Sequence, residues 1–238
     1  MHIESKWSQV KILIQFITRY DYFCAMISVQ QFVFNEFSEN TYVIFDESKE
    51  CIIIDPGCHH AEEKSILTEF ISSNQLKPVK LVNTHCHIDH VLGNNFVANR
   101  YQLDLYLHKD ELQTYADTGR WAEMFGMVMD EIPEKKVFIN EGDQIKFGNS
   151  TLDIFLTPGH SIASLTFYNK MEKICIAGDV LFKGSIGRTD LPGGNFDTLI
   201  SSIQTKLFNL DDDVKVYSGH GDPTSIGFER KHNPFLNN

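Results

Sequence analysis

The sequence predicts an α/β domain in which mixed β-sheets are layered with helices. From residue 29 onward, short β-branched and aromatic runs alternate with polar turns, which is the pattern of a meander. Helical segments stand between some of these runs but do not follow every strand, so mixed sheets are expected and not a strict βαβ repeat. Residues 26–238 contain no linker-like stretch, and we predict that they form a single domain.

The first half of this region supplies three strands, a helix, a fourth strand and a short helix. The strands are predicted in "VQQFVF", "TYVIF" and "CIIID", and the turn signal "DPG" closes the third. Ile66, Leu67, Phe70 and Ile71 have helical spacing in "AEEKSILTEFISSN", whose first turn is acidic. "VKLVNT" is the next predicted strand, and "GNNFVANRY" is predicted to be helical.

The second half is predicted to contain five more strands and at least one amphipathic helix. Four strands are expected in "QIKF", "TLDIFL", "SLTFY" and "KICIA", and "VKVYS" is the last. The helix is "NFDTLISSIQTKLFNL", which Asn195 can cap. In residues 119–132 the apolar side chains fall on one helical stripe, which favours a core position, with a cover over an acyl pocket as the alternative. This stripe consists of Trp121, Met124, Phe125, Val128 and Ile132.

Residues 1–25 are predicted to be an extension outside the fold, with a short surface helix as the alternative. Their apolar run "VKILIQFI" is interrupted by Lys11 and Gln15. It is much shorter than the roughly 20 residues that span a bilayer, and no clear signal-peptide cleavage site follows it. We therefore expect no association with a membrane.

Charge and cysteine content restrict the partners and the compartment. The net charge is −11, which argues against nucleic acid, because phosphates would be repelled and no basic stripe compensates. The five cysteines are odd in number and scattered, which fits a reducing compartment better than a disulfide framework and predicts a cytoplasmic protein. The oligomeric state stays open.

Four strand-like runs each lead to a possible metal ligand: His85, His160, Asp179 and His220. Ligands placed after strand ends lie on loops that a rigid sheet holds in place. The stretch "THCHIDH" at 84–90 also contains His87, Asp89 and His90. Seven candidates exceed the needs of one zinc ion, and none is a cysteine, as a structural zinc site would usually have. A catalytic centre for two metals is favoured over a structural zinc knot or a histidine-rich loop.

The motifs H-x-H-x-D-H, "TPGH", "AGD" and "SGHG", in this order, resemble the metallo-β-lactamase fold superfamily over residues 29–225. The resemblance implies an αββα four-layer sandwich of two mixed β-sheets flanked by helices, with the metals in a cleft at one edge of the sheets. It implies two divalent metal ions, with zinc expected and iron or manganese as alternatives, and Asp179 bridging them. It assigns His85, His87 and His160 to one ion, and Asp89, His90 and His220 to the other.

The resemblance extends to one branch of the superfamily. Asp179 and "LFKGSIGRTDLPGGN" resemble glyoxalase II, the hydroxyacylglutathione hydrolases, whereas antibiotic-degrading members are expected to lack this bridging aspartate. The segment also resembles the persulfide dioxygenases, in which one iron would be held by His85, His160 and Asp179. Arg188 stands near a glutathione-binding position of the longer glyoxalases. An ion pair with Asp190 is the alternative role for this side chain.

A two-metal centre predicts hydrolysis of a thioester. A water that bridges two metals loses a proton near neutral pH, and the metals polarise the carbonyl under attack. The departing thiolate has a conjugate acid with a pKa of about 8.5, so it needs no general acid. Asp89 and Asp179 are the predicted catalytic carboxylates, and the predicted substrate is a 2-hydroxyacyl thioester such as S-lactoylglutathione. Only 18 residues follow His220, fewer than the helical C-terminal domain of long glyoxalases needs, so another carrier thiol stays open. The alternative functions are a mononuclear iron persulfide dioxygenase and a non-catalytic metal-binding scaffold.

Overall fold

The computed structural model describes residues 26–236, in which two six-stranded sheets pack face to face. The first sheet follows chain order: β1 Ser28–Phe34, β2 Glu39–Phe45, β3 Glu50–Ile54, β4 Lys77–Val82, β5 Leu105–Leu107 and β6 Lys136–Phe138. Strands β1 to β3 are antiparallel, and β3 to β6 are parallel, so the sheet is mixed.

The second sheet has the spatial order β14-β13-β10-β9-β8-β7. Its strands are β7 Gln144–Phe147, β8 Ser150–Leu156, β9 Leu165–Asn169, β10 Ile174–Gly178, β13 Lys215–Ser218 and β14 Thr224–Ser225. A small hairpin, β11 Leu181–Phe182 and β12 Ser185–Ile186, follows β10. Strand β13 is parallel to β10, and the other pairs are antiparallel, so this sheet is also mixed.

Within residues 26–236, six α-helices cover the outer faces of the sheets. They are α1 Ala61–Ser73, α2 Ile88–Val91, α3 Asn94–Tyr101, α4 Leu112–Phe125, α5 Phe196–Thr205 and α6 Ile226–His232. Two short 3-10 helices, Lys109–Glu111 and Leu207–Asn209, lie before α4 and after α5. No helix in the described part of the chain is long and apolar enough to cross a bilayer.

The burial of alternate strand residues explains the four layers. On β2, Tyr42 and Ile44 pack between the sheets, whereas Val43 faces the helices outside the first sheet. On β10, Ile176 packs between the sheets, and Ala177 belongs to the cluster on the outer face of the second sheet. Successive side chains of a strand point to opposite faces, so strands that are buried on both faces need apolar residues at nearly every position. The predicted αββα sandwich is confirmed.

Residues 119–132 differ from the prediction made for them. Helix α4 ends at Phe125, because Gly126 has a φ of 68° and closes the helix in the left-handed conformation. Met124 is 74% exposed and Val128 is 79% exposed. The prediction of one core-facing stripe through these residues was therefore wrong. The prediction for residues 1–25 concerns a segment outside the described residues.

Candidate metal centre

Three histidines meet at the edge where both sheets end. His85 lies on the loop after β4, His87 immediately precedes α2, and His160 lies on the loop after β8. Nε2 of His160 is 3.2 Å from Nε2 of His85 and 2.9 Å from Nδ1 of His87. The three donor atoms all lie within 4.8 Å of one another. They form the first ligand group.

A second group of three side chains lies beside the first. Asp89 and His90 belong to α2, and His220 lies just after β13. Oδ2 of Asp89 is 3.1 Å from Nε2 of His220 and 3.5 Å from Nε2 of His90. These donor atoms also lie within 4.8 Å of one another. They form the second ligand group.

One carboxylate lies between the two groups. Asp179 directly follows β10, and its Oδ2 atom is 3.4 Å from Nε2 of His160 and 3.5 Å from Nε2 of His220. Its Oδ1 atom is 3.4 Å from Nε2 of His90. The structure therefore brings together all seven residues that the sequence predicted as ligands, and their binding of metal stays a prediction.

Hydrogen bonds on the far side of the imidazole rings orient the ligands. Four histidines that point Nε2 into the centre each have a polar oxygen beside Nδ1. The partners of Nδ1 are the Thr84 hydroxyl for His85 at 3.0 Å, the Asp55 carboxylate for His90 at 3.1 Å, the Arg188 carbonyl for His160 at 2.8 Å, and the Ser38 carbonyl for His220 at 3.2 Å. Such partners keep the proton on Nδ1 and leave the lone pair of Nε2 free for a metal.

The geometry of the donors fits two divalent cations. Donors that share a tetrahedral zinc ion, each about 2.0–2.1 Å from the metal, lie about 3.3 Å apart, which is close to the 3.2 and 2.9 Å from His160 to His85 and His87 and to the 3.1 and 3.5 Å from Asp89 to His220 and His90. Nε2 of His90 and Oδ1 of Asp179 are buried and have no hydrogen-bond partner among residues 26–236. Buried polar atoms without partners are costly, and a bound cation would satisfy both. Nitrogen and carboxylate donors without thiolate suit zinc, iron or manganese.

The electrostatics of the centre keep lone pairs available on two histidines of the first group, His85 and His87. Burial, followed by the neighbouring imidazoles, lowers the pKa of His85 well below its usual value and that of His87 to about 3. Burial also acts to lower the pKa of His90, but Asp89 and Asp179 outweigh it and raise that pKa well above its usual value. A cation that binds at His90 therefore replaces a proton, as metal binding commonly requires.

Two buried carboxylates outside the ligand set hold the ligand loops. Oδ1 of Asp55 accepts a hydrogen bond from the backbone N–H of Thr84 at 2.7 Å, and Oδ2 accepts from the Thr84 hydroxyl at 2.5 Å. Glu111 accepts from the Cys86 backbone N–H at 3.0 Å and from the Ser161 hydroxyl at 2.5 Å. The "DPG" signal predicted only a turn at Asp55, and no sequence pattern predicted a role for Glu111. A carboxylate that ends an apolar strand was the available signal for Asp55, whereas nothing in the local sequence marks Glu111.

Glycines allow the backbone to approach the Asp179 carboxylate. A Cβ atom at Gly219 would lie 2.0 Å from Oδ1 of Asp179 and 2.7 Å from Cε1 of His90. A Cβ atom at Gly187 would lie 1.9 Å from the carbonyl oxygen of Asp179. Any larger residue at either position would displace Asp179, so the first glycine of "SGHG" is required by the centre.

A cavity of about 460 Å³ opens onto the centre and is lined by His87, Asp89, His160, Asp179 and His220. Its remaining walls are mostly apolar and include Trp121 and Phe125 from α4. The stripe predicted as core therefore contributes two residues to the wall of this cavity, which agrees with the alternative given for that segment.

Arg188 also lines the cavity and is paired with Asp190. Its Nε and Nη2 atoms each donate a hydrogen bond of 2.7 Å to the two carboxylate oxygens of Asp190. The ion pair that the sequence suggested as the alternative is therefore formed. A role for Arg188 in holding the substrate stays a prediction.

Comparisons with known proteins agree with this architecture. A family model described as the metallo-beta-lactamase superfamily matches residues 34–220. The chain is 36% identical to hydroxyacylglutathione hydrolase GloC of Haemophilus influenzae over 204 residues, which cover 84% of this chain and 94% of the relative. The crystal structure of BLEG-1 B3 metallo-beta-lactamase has 32% identity and a TM-score of 0.78, over 89% of this chain and all of that one. TTHA1623 in a di-iron-bound form has 31% identity and a TM-score of 0.78, over 87% of this chain and all of that one.

Proposed function

The chain belongs to the metallo-β-lactamase superfamily, a family of metal-dependent hydrolases, and from that premise we propose that it is a dinuclear thioesterase of the glyoxalase II type. The proposed substrate is a 2-hydroxyacyl thioester such as S-lactoylglutathione. The relative from Haemophilus influenzae, named as a hydroxyacylglutathione hydrolase, supports this choice of substrate class.

The residues that line the cavity support a thioester as the substrate. Outside the ligand set, the polar side-chain groups among the described residues that line it are those of Ser185 and Arg188 and the indole N–H of Trp121. A hydroxyl, a paired guanidinium and an indole N–H do not readily protonate a departing amine, and an amide substrate needs that proton. A thiolate leaves without it, because the conjugate acid has a pKa of about 8.5. The cavity therefore suits a bond whose leaving group needs no acid.

The two ligand groups account for the hydrolytic step. Two bound divalent cations would supply a water of lowered pKa and polarise the acyl oxygen. His85, His87 and His160 would hold one cation, Asp89, His90 and His220 the other, and Asp179 would keep both at a fixed separation. Water adds to the acyl carbon and the carbon–sulfur bond breaks, which gives the carboxylic acid and the thiol.

Parallel assays on the purified protein test the proposal. We expect release of thiol from S-lactoylglutathione, no oxygen uptake with glutathione persulfide, no cleavage of the β-lactam nitrocefin, and about two metal ions per chain by elemental analysis. Oxygen uptake without thioester cleavage, together with about one iron per chain, would establish the dioxygenase instead. Substoichiometric metal with no activity would indicate a non-catalytic scaffold.

The variant Asp89→Asn separates the two enzymatic alternatives further. Asp89 belongs to the second ligand group only, whereas a single iron would be held by His85, His160 and Asp179. A two-metal thioesterase should lose most of its turnover in this variant. A mononuclear dioxygenase should retain its oxygen uptake, and that result would contradict the proposed function.

A further inference from the structure

The walls of the active-site cavity are apolar on the side away from the ligands. Phe37 and Phe125 meet edge to face with ring centroids 5.3 Å apart, and Trp121, Phe182 and Leu191 complete the wall. A lactoyl group is small beside a cavity of about 460 Å³. Most of this apolar surface therefore faces whatever is attached to the thioester sulfur.

The charge of the one cation in the wall is already compensated. Arg188 is held by two hydrogen bonds of 2.7 Å to Asp190. Lys183, next to the wall residue Phe182, is likewise paired with Asp222 at 3.1 Å. Outside the ligand set, no other cationic side chain of the described residues lines the cavity. A carboxylate or phosphate on the carrier thiol would enter this wall without an uncommitted partner.

A second cavity of about 390 Å³ continues the same surface beyond Trp121, which lines both cavities. Its apolar walls include Met124, Ile162 and Pro192. Asp110 and Asp117 line it as well, so its two carboxylates outnumber the single cation, Arg120. The surface next to the first cavity therefore also favours an uncharged occupant over an anionic one.

We propose that the thiol half of the substrate is uncharged and apolar, and that it is recognised by the wall around Trp121 and Leu191. This inference rests on the proposed thioesterase activity and names the class of carrier. Glutathione, with two carboxylates and one ammonium group, would still serve as a carrier but would bind less tightly than an apolar thiol. Each methylene of an apolar thiol placed against the wall should strengthen binding by up to about fourfold, the equivalent of 0.8 kcal/mol.

The test is a series of thioesters that share the lactoyl group and differ in the thiol. S-ethyl, S-propyl and S-butyl thiolactate have similar leaving groups, so differences in kcat/KM report contacts with the wall. We expect kcat/KM to rise about two- to fourfold per methylene, and to be at least about tenfold higher for S-butyl thiolactate than for S-lactoylglutathione. A flat series, or a preference for S-lactoylglutathione, would overturn the inference.

Two variants in the cavity wall and one control variant far from it test where the dependence of kcat/KM on chain length arises. Trp121→Ala and Leu191→Ala should each flatten the dependence of kcat/KM on chain length. Met171→Ala, which removes a side chain that is 72% exposed on the turn between β9 and β10, should leave it unchanged. Thermal unfolding of each variant shows whether it is folded, and a folded Trp121→Ala variant with the full dependence would contradict the proposal.

A variant that leaves the Arg188 guanidinium without its partner tests whether charge selects the carrier thiol. Asp190→Ala removes the partner of Arg188, so the ratio of kcat/KM for S-lactoylglutathione to that for S-butyl thiolactate should rise several-fold. The double variant Arg188→Ala/Asp190→Ala should return the ratio to the wild-type value. An unchanged ratio in Asp190→Ala would show that charge at this wall does not select the carrier.

A binding measurement separates failure of this inference from failure of the proposed function. The chain has two tryptophans, Trp7 and Trp121, so Trp7→Phe leaves Trp121 as the single fluorophore. The thioether 1-(butylsulfanyl)propan-2-ol, which cannot be hydrolysed, should change its fluorescence and bind more tightly than the ethyl analogue. Binding with this preference but without thioester cleavage would refute the thioesterase and support the apolar site. Thioester cleavage without this preference would refute the apolar site and support the thioesterase.

Discussion

Replacing Asp55 with asparagine should weaken the second metal site through the tautomer of His90. Oδ2 of Asp55 lies 3.1 Å from Nδ1 of His90, and Oδ1 accepts hydrogen bonds from the Thr84 backbone at 2.7 Å and from Asn83 Nδ2 at 3.2 Å. In Asp55→Asn the amide oxygen can keep the two bonds at Oδ1. The amide NH₂ group then faces His90, and two donors cannot pair.

The expected loss of metal affinity follows from the proton that must move on His90. With a donor opposite Nδ1, His90 has to accept there and carry its proton on Nε2, the atom that faces Asp89 and Asp179 at 3.5 and 3.4 Å. A protonated Nε2 offers no lone pair to a metal. Changes to hydrogen bonds of this kind lower metal affinity by about 10- to 100-fold, which corresponds to about 1.4–2.7 kcal/mol.

The assay is titration of the metal-free protein with Zn²⁺ against a chromophoric chelator. Asp46→Asn is a matched control, because Asp46 is also buried and also accepts several hydrogen bonds, including those from Ser150 and the Asn149 backbone. It lies at the opposite end of the β2–β3 pair from Asp55. Both variants should lose about 1–3 kcal/mol of unfolding free energy without metal. Only Asp55→Asn should lose zinc affinity.

Equal zinc affinity in Asp55→Asn and wild type would refute the reasoning, since the Asp55 contact would then not set the tautomer of His90. Equal losses of affinity in both variants would also refute it, because the effect would then follow from general destabilisation.

Three further predictions concern the centre and its support. Asp179→Ala should lower kcat/KM by at least about 100-fold while the circular dichroism spectrum stays native; retention of most turnover would contradict the bridging role. Removal of metal by a chelator should lower Tm, and Zn²⁺ at about 100 times its Kd should restore about 2.7 kcal/mol per site; an unchanged Tm would argue against binding to the native state. Glu111→Gln should cost about 1–3 kcal/mol in denaturant unfolding, because a charged acceptor of hydrogen bonds from Ser161 and Cys86 is lost; a neutral effect would show that the amide replaces it.

Much of the fold could be predicted because its strands are regular and buried. The continuous apolar runs of β3 and β10 reflect burial on both faces, and a local pattern is enough to find them. The sequence failed at α4, where a helical apolar period continues past Gly126 although the backbone does not. The short strands β5, β6, β11, β12 and β14 were also missed, because two or three residues carry too little pattern to be recognised.

The sequence alone reveals the seven candidate donors of the centre, four of which follow the ends of strands. The orientation of the donors and the groups around them depend on tertiary packing. Asp55, the partner of Nδ1 of His90, lies 35 residues away from it in the chain, and Ser38, the partner of Nδ1 of His220, lies 182 residues away. The apolar wall around Trp121 likewise forms only when elements far apart in the chain pack together. A local pattern records which face of its own element a residue occupies, whereas hydrogen-bond partners and cavity walls depend on the packing of elements far apart in the chain.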